Sequence, residues 1–271
     1  MYETYWGLRE KPFENVPDPR FLFPSAEHEE ALARLRYAVT ARKGAAMLTG
    51  DYGTGKTLLS RVLRRELRAD QRYHLALITY PKLTGTQFLR ELLYQLTGTE
   101  PRGDKTRVLH ALQKHLEESA HGGLDTVVLI DEAQTISSRV LFEEIRLLLN
   151  FQREDRFLLS LLFLGQPELK RKVDALPQLK QRLAIRYHLR NLSPEETSGY
   201  VGHRLRVAGA QGQIFSPEAL RRVARYSEGR PRGINNVCDL ALVVGAGRGA
   251  SAVDVDLVRE VISDLEGAPE E

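Results

Sequence analysis

The chain has 271 residues, enough for one large domain or two modest ones around a real core. Hydrophobic residues at 42% and charged residues at 28% exclude a disordered or fibrous chain, and a net charge of +3 is too small to imply a nucleic-acid partner by itself. Apolar runs such as Leu158 to Leu164 are too short for a membrane span, Met1-Tyr2-Glu3-Thr4-Tyr5 lacks a secretory signal, and the single Cys238 can form no internal disulfide, so the expectation is a cytoplasmic protein without a membrane span of its own.

In chain order, residues 1–25 carry Tyr5, Trp6, Phe13, Phe21 and Phe23 among Pro12, Pro17, Pro19 and Pro24. Prolines at that density exclude a long helix, and the segment is expected to pack on the core, where its rings are also candidates for the face of a nucleotide base. Ser25 opens a helix to about Arg42, with Glu27 to Glu30 favourably placed in its first turns. Ala45 to Thr49 reads as a strand, Leu58 to Arg68 as a helix, His74 to Tyr80 as a strand, and Gly85 to Leu96 and Thr106 to Ser119 as helices. Thr126 to Ile130 is a very apolar strand, Leu141 to Phe151 a helix, Phe157 to Leu164 a strand and Ile185 to Leu189 a short one. Apolar strands alternating with helices predict an α/β core over 26–191, a parallel sheet covered on both faces.

After Asn191 only helices remain, a small all-α lid over 192–266 followed by a frayed tail at 267–271. Ser193-Pro194-Glu195-Glu196 and Ser216-Pro217-Glu218 are N-terminal signatures, with serine as cap and proline at the first helical position. The third helix of this part spans about Pro231 to Val244 and the last about Val253 to Leu265. Cys238 shares an apolar face with Val237, Leu240, Ala241 and Val244, the pattern of a buried core cysteine.

Gly50-Asp51-Tyr52-Gly53-Thr54-Gly55-Lys56-Thr57 spells a complete phosphate-binding loop between a strand and a helix whose first turn includes Leu58. The glycines let backbone N–H groups point inward at phosphate oxygens, and the new helix adds its positive end. Lys56 would reach the β- and γ-phosphates, and the Thr57 hydroxyl would ligate Mg²⁺. The strand Val127-Val128-Leu129-Ile130 ends in Asp131-Glu132, at the sheet edge where open α/β folds bind ligands. Asp131 would hold the hydrated Mg²⁺ and Glu132 would polarise an attacking water, which argues for hydrolysis as well as binding. Asp131-Glu132-Ala133-Gln134 also looks like a helicase motif, but helicases need two such cores and this sequence has room for one.

Hydrolysis needs positive charge for the γ-phosphate. Arg182, just before the last strand, is the candidate for reaching a neighbouring subunit's nucleotide, with Arg186 as its competitor. Arg232, in Gly229-Arg230-Pro231-Arg232-Gly233, is the candidate to fold over the phosphates from the lid, with Arg230 as its competitor. Gln166 follows the strand ending at Leu164-Gly165, where a polar residue can sense the γ-phosphate or simply end a strand. Arg61, Arg64, Arg65 and Arg68 form a basic cluster that serves either as a solvated helix face or as a patch facing double-stranded DNA.

Met1-Tyr2…Gly7-Leu8, Pro12-Phe13, Pro17-Asp18-Pro19-Arg20-Phe21-Leu22-Phe23 and His28…Glu30-Ala31-Leu32 resemble the N-terminus of ExeA-type ATPases, also called general secretion pathway protein A. So do Gly50 to Thr57, Ile130 to Gln134, Gly165-Gln166-Pro167-Glu168-Leu169, Glu196-Thr197…Tyr200…His203-Arg204-Leu205, and Gly229 to Asn235. The resemblance covers the chain to about residue 265. It implies an AAA+ ATPase with an α/β core and helical lid, using ATP, where the residues alone do not exclude GTP. It further implies a homo-oligomer (ring or spiral, with a hexamer among the candidate forms) working with envelope secretion or pilus assembly proteins. The module is also similar to that of transposition target-selection proteins, which act on DNA. Full-length secretion proteins of this type carry a membrane span and a peptidoglycan-binding region after the ATPase part. This sequence shows neither, so it is expected to be closer to short pilus-type members that reach the inner membrane through a partner.

Overall fold

The computed structural model describes residues 2–154 and 156–267; the rest of the expected tail, 268–271, lies outside the described residues. The chain folds into two compact units. One holds Glu27–Asp51 and Leu59–Leu189; the other holds the residues up to Ala26, Tyr52–Leu58 and those from Arg190 onward.

The first unit is built on five parallel strands: β1 (Ala45–Gly50), β2 (Tyr73–Ile78), β3 (Asp125–Ile130), β4 (Leu159–Gly165) and β5 (Leu183–Leu189). Their order is β2-β3-β4-β1-β5. Every residue of β1 and β4 is buried, as is all of β3 after Asp125, which is why these three read as unbroken apolar runs. β5 lies at an edge and alternates between buried and exposed positions, the weaker signal of a half-covered strand. β2 stops at Ile78, two residues short of the expected end at Tyr80, because Pro81 disfavours further pairing and Tyr80 is exposed.

Helices α4 (Gly85–Thr97), α5 (Lys105–His121) and α6 (Arg139–Leu148) start at side-chain caps: Thr84 in a capping box with Gln87, Asp104 on the Arg107 amide, and Ser138 on the Leu141 amide. With α7 (Pro167–Asp174) and α8 (Pro177–Arg182) they bury Phe88, Leu112, Phe142, Leu169 and Leu179 together with Met47, Val128, Ile130 and Phe163 of the sheet. The periodicity did not assign α7 and α8; both are short and each opens on a proline. Helix α2 (Ala26–Thr40) and helix α3 (Lys56–Ala69) are tied by the fork of Arg36 on Glu66, at 2.8 and 2.6 Å.

The second unit carries α9 (Pro194–Val207), α10 (Pro217–Ser227), α11 (Pro231–Gly247) and α12 (Val255–Glu266), the helices expected after Asn191. Ser193 caps α9 in a box with Glu196, and Ser216 caps α10. Residues 2–26, expected on the α/β core, instead add Tyr2, Leu8, Phe13 and Phe21 to the hydrophobic cluster of these helices. A short helix α1 (Tyr2–Tyr5) begins the segment. The cause of the difference is a polar anchor. Arg204 is buried on α9 and donates to the carbonyls of Pro12 (a very short contact) and Glu14 (3.0 Å) and to the Tyr200 hydroxyl (2.8 Å), with Phe21 4.8 Å under its guanidinium. Trp6 adds a bond from its indole N–H to the Leu242 carbonyl at 2.9 Å. Cys238 is fully buried in this cluster, and burial pushes its thiol pKa up, as expected of a core cysteine.

Candidate nucleotide site

Parallel pairing sends β1, β3 and β4 to one sheet edge: Thr49 lies opposite Gly165, and Ile130 opposite Phe163. Gly50 and Asp51, Asp131 and Glu132, and Gln166 leave the sheet there, at the carboxyl ends where α/β folds bind ligands.

Asp131 is buried, its amide bonded to the Ile78 carbonyl at 2.9 Å and its Oδ1 accepting from the Glu132 amide at 2.9 Å. Glu132 adopts a left-handed backbone (φ 50, ψ 34), uncommon without glycine. That turn breaks the strand direction immediately after the carboxylate pair. The Glu132 carboxylate accepts a very short hydrogen bond from the Gln134 side-chain amide. On its other side, the Gln134 carbonyl oxygen accepts from the Gln166 backbone N–H at 3.1 Å. Gly165 makes room, since a Cβ there would stand 2.7 Å from the Gln134 Oε1. Lys172 donates to the backbone carbonyls of Gln134 (2.5 Å) and Ile136 (2.8 Å) and steadies the same turn. Gln134 entered the sequence reading only as a motif letter, yet it joins Glu132 to the start of α7. The signal was its spacing, two residues after the glutamate.

The loop that leaves β1 runs into α3 with Gly53 at φ 80 and Gly55 at φ 102, conformations that side chains resist. Thr54 and Lys56 are buried, and the Lys56 ammonium lies 3.5 Å from the Thr54 hydroxyl. Thr57 is half-buried in the first turn of α3. In the same unit the Arg232 amide donates to the Gly53 carbonyl at 3.3 Å, and its guanidinium lies 4.7 Å over the exposed ring of Tyr52. A Cβ on Gly53 would come within 2.8 Å of the Arg232 Cβ. Arg230 turns elsewhere, pairing with Glu228 at 2.6 Å and reaching the Ser227 carbonyl at 3.3 Å. Between these two arginines, the structure brings Arg232 to the loop.

Arg182 and Arg186 are not at this edge. Leu183 pairs with Ala45 at the start of β1, and Leu189 with Gly50 at its end. Arg182 therefore stands one strand length away from the loop's origin, and its guanidinium reaches Asn150 at 3.3 Å. Arg186 is exposed midway along β5.

The donor set suits Mg²⁺ and nucleotide phosphates. Thr57 in one unit and Asp131 in the other each carry an oxygen of the hard kind this cation takes, and a positive-φ loop around a buried lysine suits a polyphosphate. An AAA domain family profile matches residues 39–173. General secretion pathway protein A of Aeromonas hydrophila is 38% identical over 272 residues, covering 98% of this chain. The chain belongs to the ExeA-type AAA ATPases. It spans about half the length of that relative, 49%.

Two solved structures share the AAA fold at low identity. The ORC2 protein of Aeropyrum pernix, in ADPNP–ADP complexes, matches with TM-score 0.70 at 17% identity over 94% of this chain and 71% of the other. Drosophila ORC bound to DNA matches with TM-score 0.70 at 20% identity over 95% and 65%. Several residues that carry the ExeA-type resemblance now have physical roles. Tyr200 and Arg204 hold the N-terminal segment, and Asn235 lies 2.8 Å from the Tyr200 hydroxyl and 3.1 Å from Asn15. Gly229 has φ 71 and packs against the Leu192 backbone so closely that any side chain would collide, and the Leu192 amide bonds its carbonyl at 2.9 Å. Among the described residues, no helix of this ExeA-type chain is long and apolar enough to cross a membrane.

Proposed function

We propose that the chain hydrolyses ATP and uses the cycle to drive assembly or remodelling of a bacterial envelope secretion or pilus apparatus. The observation that carries the reading is a carboxylate pair, Asp131-Glu132, emerging at the same sheet edge as the strand that feeds the phosphate loop. Loop N–H groups and Lys56 bind the β- and γ-phosphates. Thr57 and Asp131 would hold Mg²⁺, which would supply positive charge against the phosphate oxygens. Glu132 accepts a proton from, and orients, the attacking water, and Gln134 fixes where that carboxylate points. Gln166 faces the γ-phosphate, Arg232 couples the helical lid to the loop, and Arg182 completes the site of an adjoining copy in a ring or spiral. The envelope role rests on the likeness to General secretion pathway protein A, and implies a cytoplasmic protein meeting the inner membrane through a partner.

The test separates binding from chemistry. Lys56→Ala should lose binding of a fluorescent ATP analogue. Glu132→Gln should bind the analogue like the parent while phosphate release falls by about 10²-fold or more. A Glu132→Gln protein that turns over normally would overturn the proposed hydrolytic role. A second reading, a DNA-binding regulator of the transposition target-selection type, is favoured by the arginine-rich face of α3. Stimulation of ATP turnover by duplex DNA, lost as salt rises, would shift the assignment to it.

A further inference from the structure

We propose that the outer face of α3 is a docking surface for the phosphodiester backbone of duplex DNA. The inference goes beyond the ATPase reading and deepens the DNA-binding alternative that the same arginine face favours. Leu59, Leu63 and Leu67 bury the inner face of α3. Arg61, Arg64, Arg65 and Arg68, at helical offsets of zero, three, four and seven, share the other side. Elsewhere some exposed arginines are matched with carboxylates, such as Arg34 with Glu30, Arg72 with Asp70, Arg221 with Glu218 and Arg259 with Asp256, whereas others, such as Arg107 and Arg225, form no ion pair among the described residues. Among the described residues Arg64, Arg65 and Arg68 form no ion pair, and Glu66, the one acidic residue of the helix, is taken by Arg36.

The cluster therefore repels itself. Burial, then the neighbouring Arg68 and Arg61, hold the Arg64 guanidinium below its ordinary pKa, a penalty that a bound anion would relieve. From Arg61 to Arg68 the helix rises about 10 Å, the length along which one DNA strand presents roughly three phosphates. All four cations are arginines, whose planar forks match phosphate oxygens bidentately. At its far end the stripe meets a cleft of about 230 Å³ lined by Arg68, Gln71 and His74 and also by Asp70, whose carboxylate is paired with Arg72. A bilayer fits less well. The exposed positions on this stretch of α3 are Arg61, Arg65, Glu66, Arg68 and Ala69, with no large apolar side chain to enter the acyl boundary.

The same helix carries Lys56 and Thr57 at its start, so a polyanion on its flank would bear on the element that receives the nucleotide. The experiment is fluorescence anisotropy of a labelled duplex, without nucleotide, between about 50 and 200 mM salt. The parent protein should bind with a steep negative salt dependence. Arg64→Ala/Arg65→Ala/Arg68→Ala should bind more than tenfold more weakly at the low-salt end, with the slope reduced by roughly three. Retained binding of the ATP analogue would show that this variant is folded; if it is lost, Arg65→Ala, at an exposed position, carries the test with a slope change of about one. Absence of duplex binding by the parent, or an unchanged slope in the variants, would overturn the proposal. So would sedimentation with phosphatidylglycerol vesicles in place of DNA, which would give the surface to a membrane. Because nucleotide is omitted, either result is independent of whether Glu132 and Lys56 act as proposed.

Discussion

Glu132 holds its side chain through one neighbour. The Gln134 amide donates to its carboxylate while the other end of that amide accepts from the Gln166 N–H. Gln134→Ala would release both at once, freeing the carboxylate to rotate and leaving a backbone donor without its acceptor. The expected outcome is a fall of about tenfold or more in kcat with ATP affinity unchanged, measured as the split between kcat and KM. An equal loss of affinity would make Gln134 merely structural. A second residue-scale effect concerns His115, stacked on His74 with ring centroids 5.7 Å apart and the Ser119 hydroxyl beside both. Burial first, then His74, lower the His115 pKa, so the unfolded chain binds this proton more readily than the folded one. Its contribution to stability is present above the ordinary histidine value, about 6.5, and is lost as pH falls below it. His115→Gln should flatten the acid side of a stability–pH curve from thermal unfolding; an unchanged curve would remove His115 as a cause.

At the scale of elements, the N-terminal segment and α9 act as one piece through Arg204. Replacing it by methionine keeps apolar bulk but strands the buried Pro12 carbonyl and takes a partner from the part-buried Glu14 carbonyl, a penalty of about 1–3 kcal/mol. The melting temperature should drop by about 5–10 °C; no drop would show that aromatic packing alone holds the segment. Nothing in the local sequence distinguishes a proline-rich strap packed on the α/β core from one packed on a helical cluster, and the contacts of Tyr2, Leu8, Phe13 and Phe21 decide it. The buried strands were easy to read for the opposite reason, since both of their faces are apolar. β2 illustrates a solution at an edge. The Gln95 side chain exchanges two hydrogen bonds with Leu77, 2.6 and 2.8 Å, and occupies backbone groups that would otherwise invite another strand.

At the scale of the whole molecule, the sheet sets Arg182 apart from the loop that leaves β1. Arg182 stands at the start of β5, across the length of β1 from the end that feeds the phosphate loop, so we propose that it serves a neighbouring copy's nucleotide. Arg182→Ala and Lys56→Ala should each be inactive alone, and mixing them should restore ATP turnover, because one supplies intact loops and the other intact arginines. A mixture as inactive as its parts would rule out action between copies. The glycine-bearing loop between β1 and α3, the Asp131-Glu132 pair at the end of β3 and the helices after Asn191 were all legible as structure, because each lies within one short stretch whose spacing expresses its own turn or period. Tertiary structure decided what spacing does not encode. The strand order β2-β3-β4-β1-β5 put the carboxylates at the same edge as Gly50, and Gln134 became the link to Gln166. It also selected Arg232 over Arg230 beside Gly53 and gave residues 2–26 to the helical unit. The physical reason is range: a turn or helix period is set by neighbours along the chain, whereas these contacts join residues 30 to 200 positions apart and exist only once strands and helices have packed.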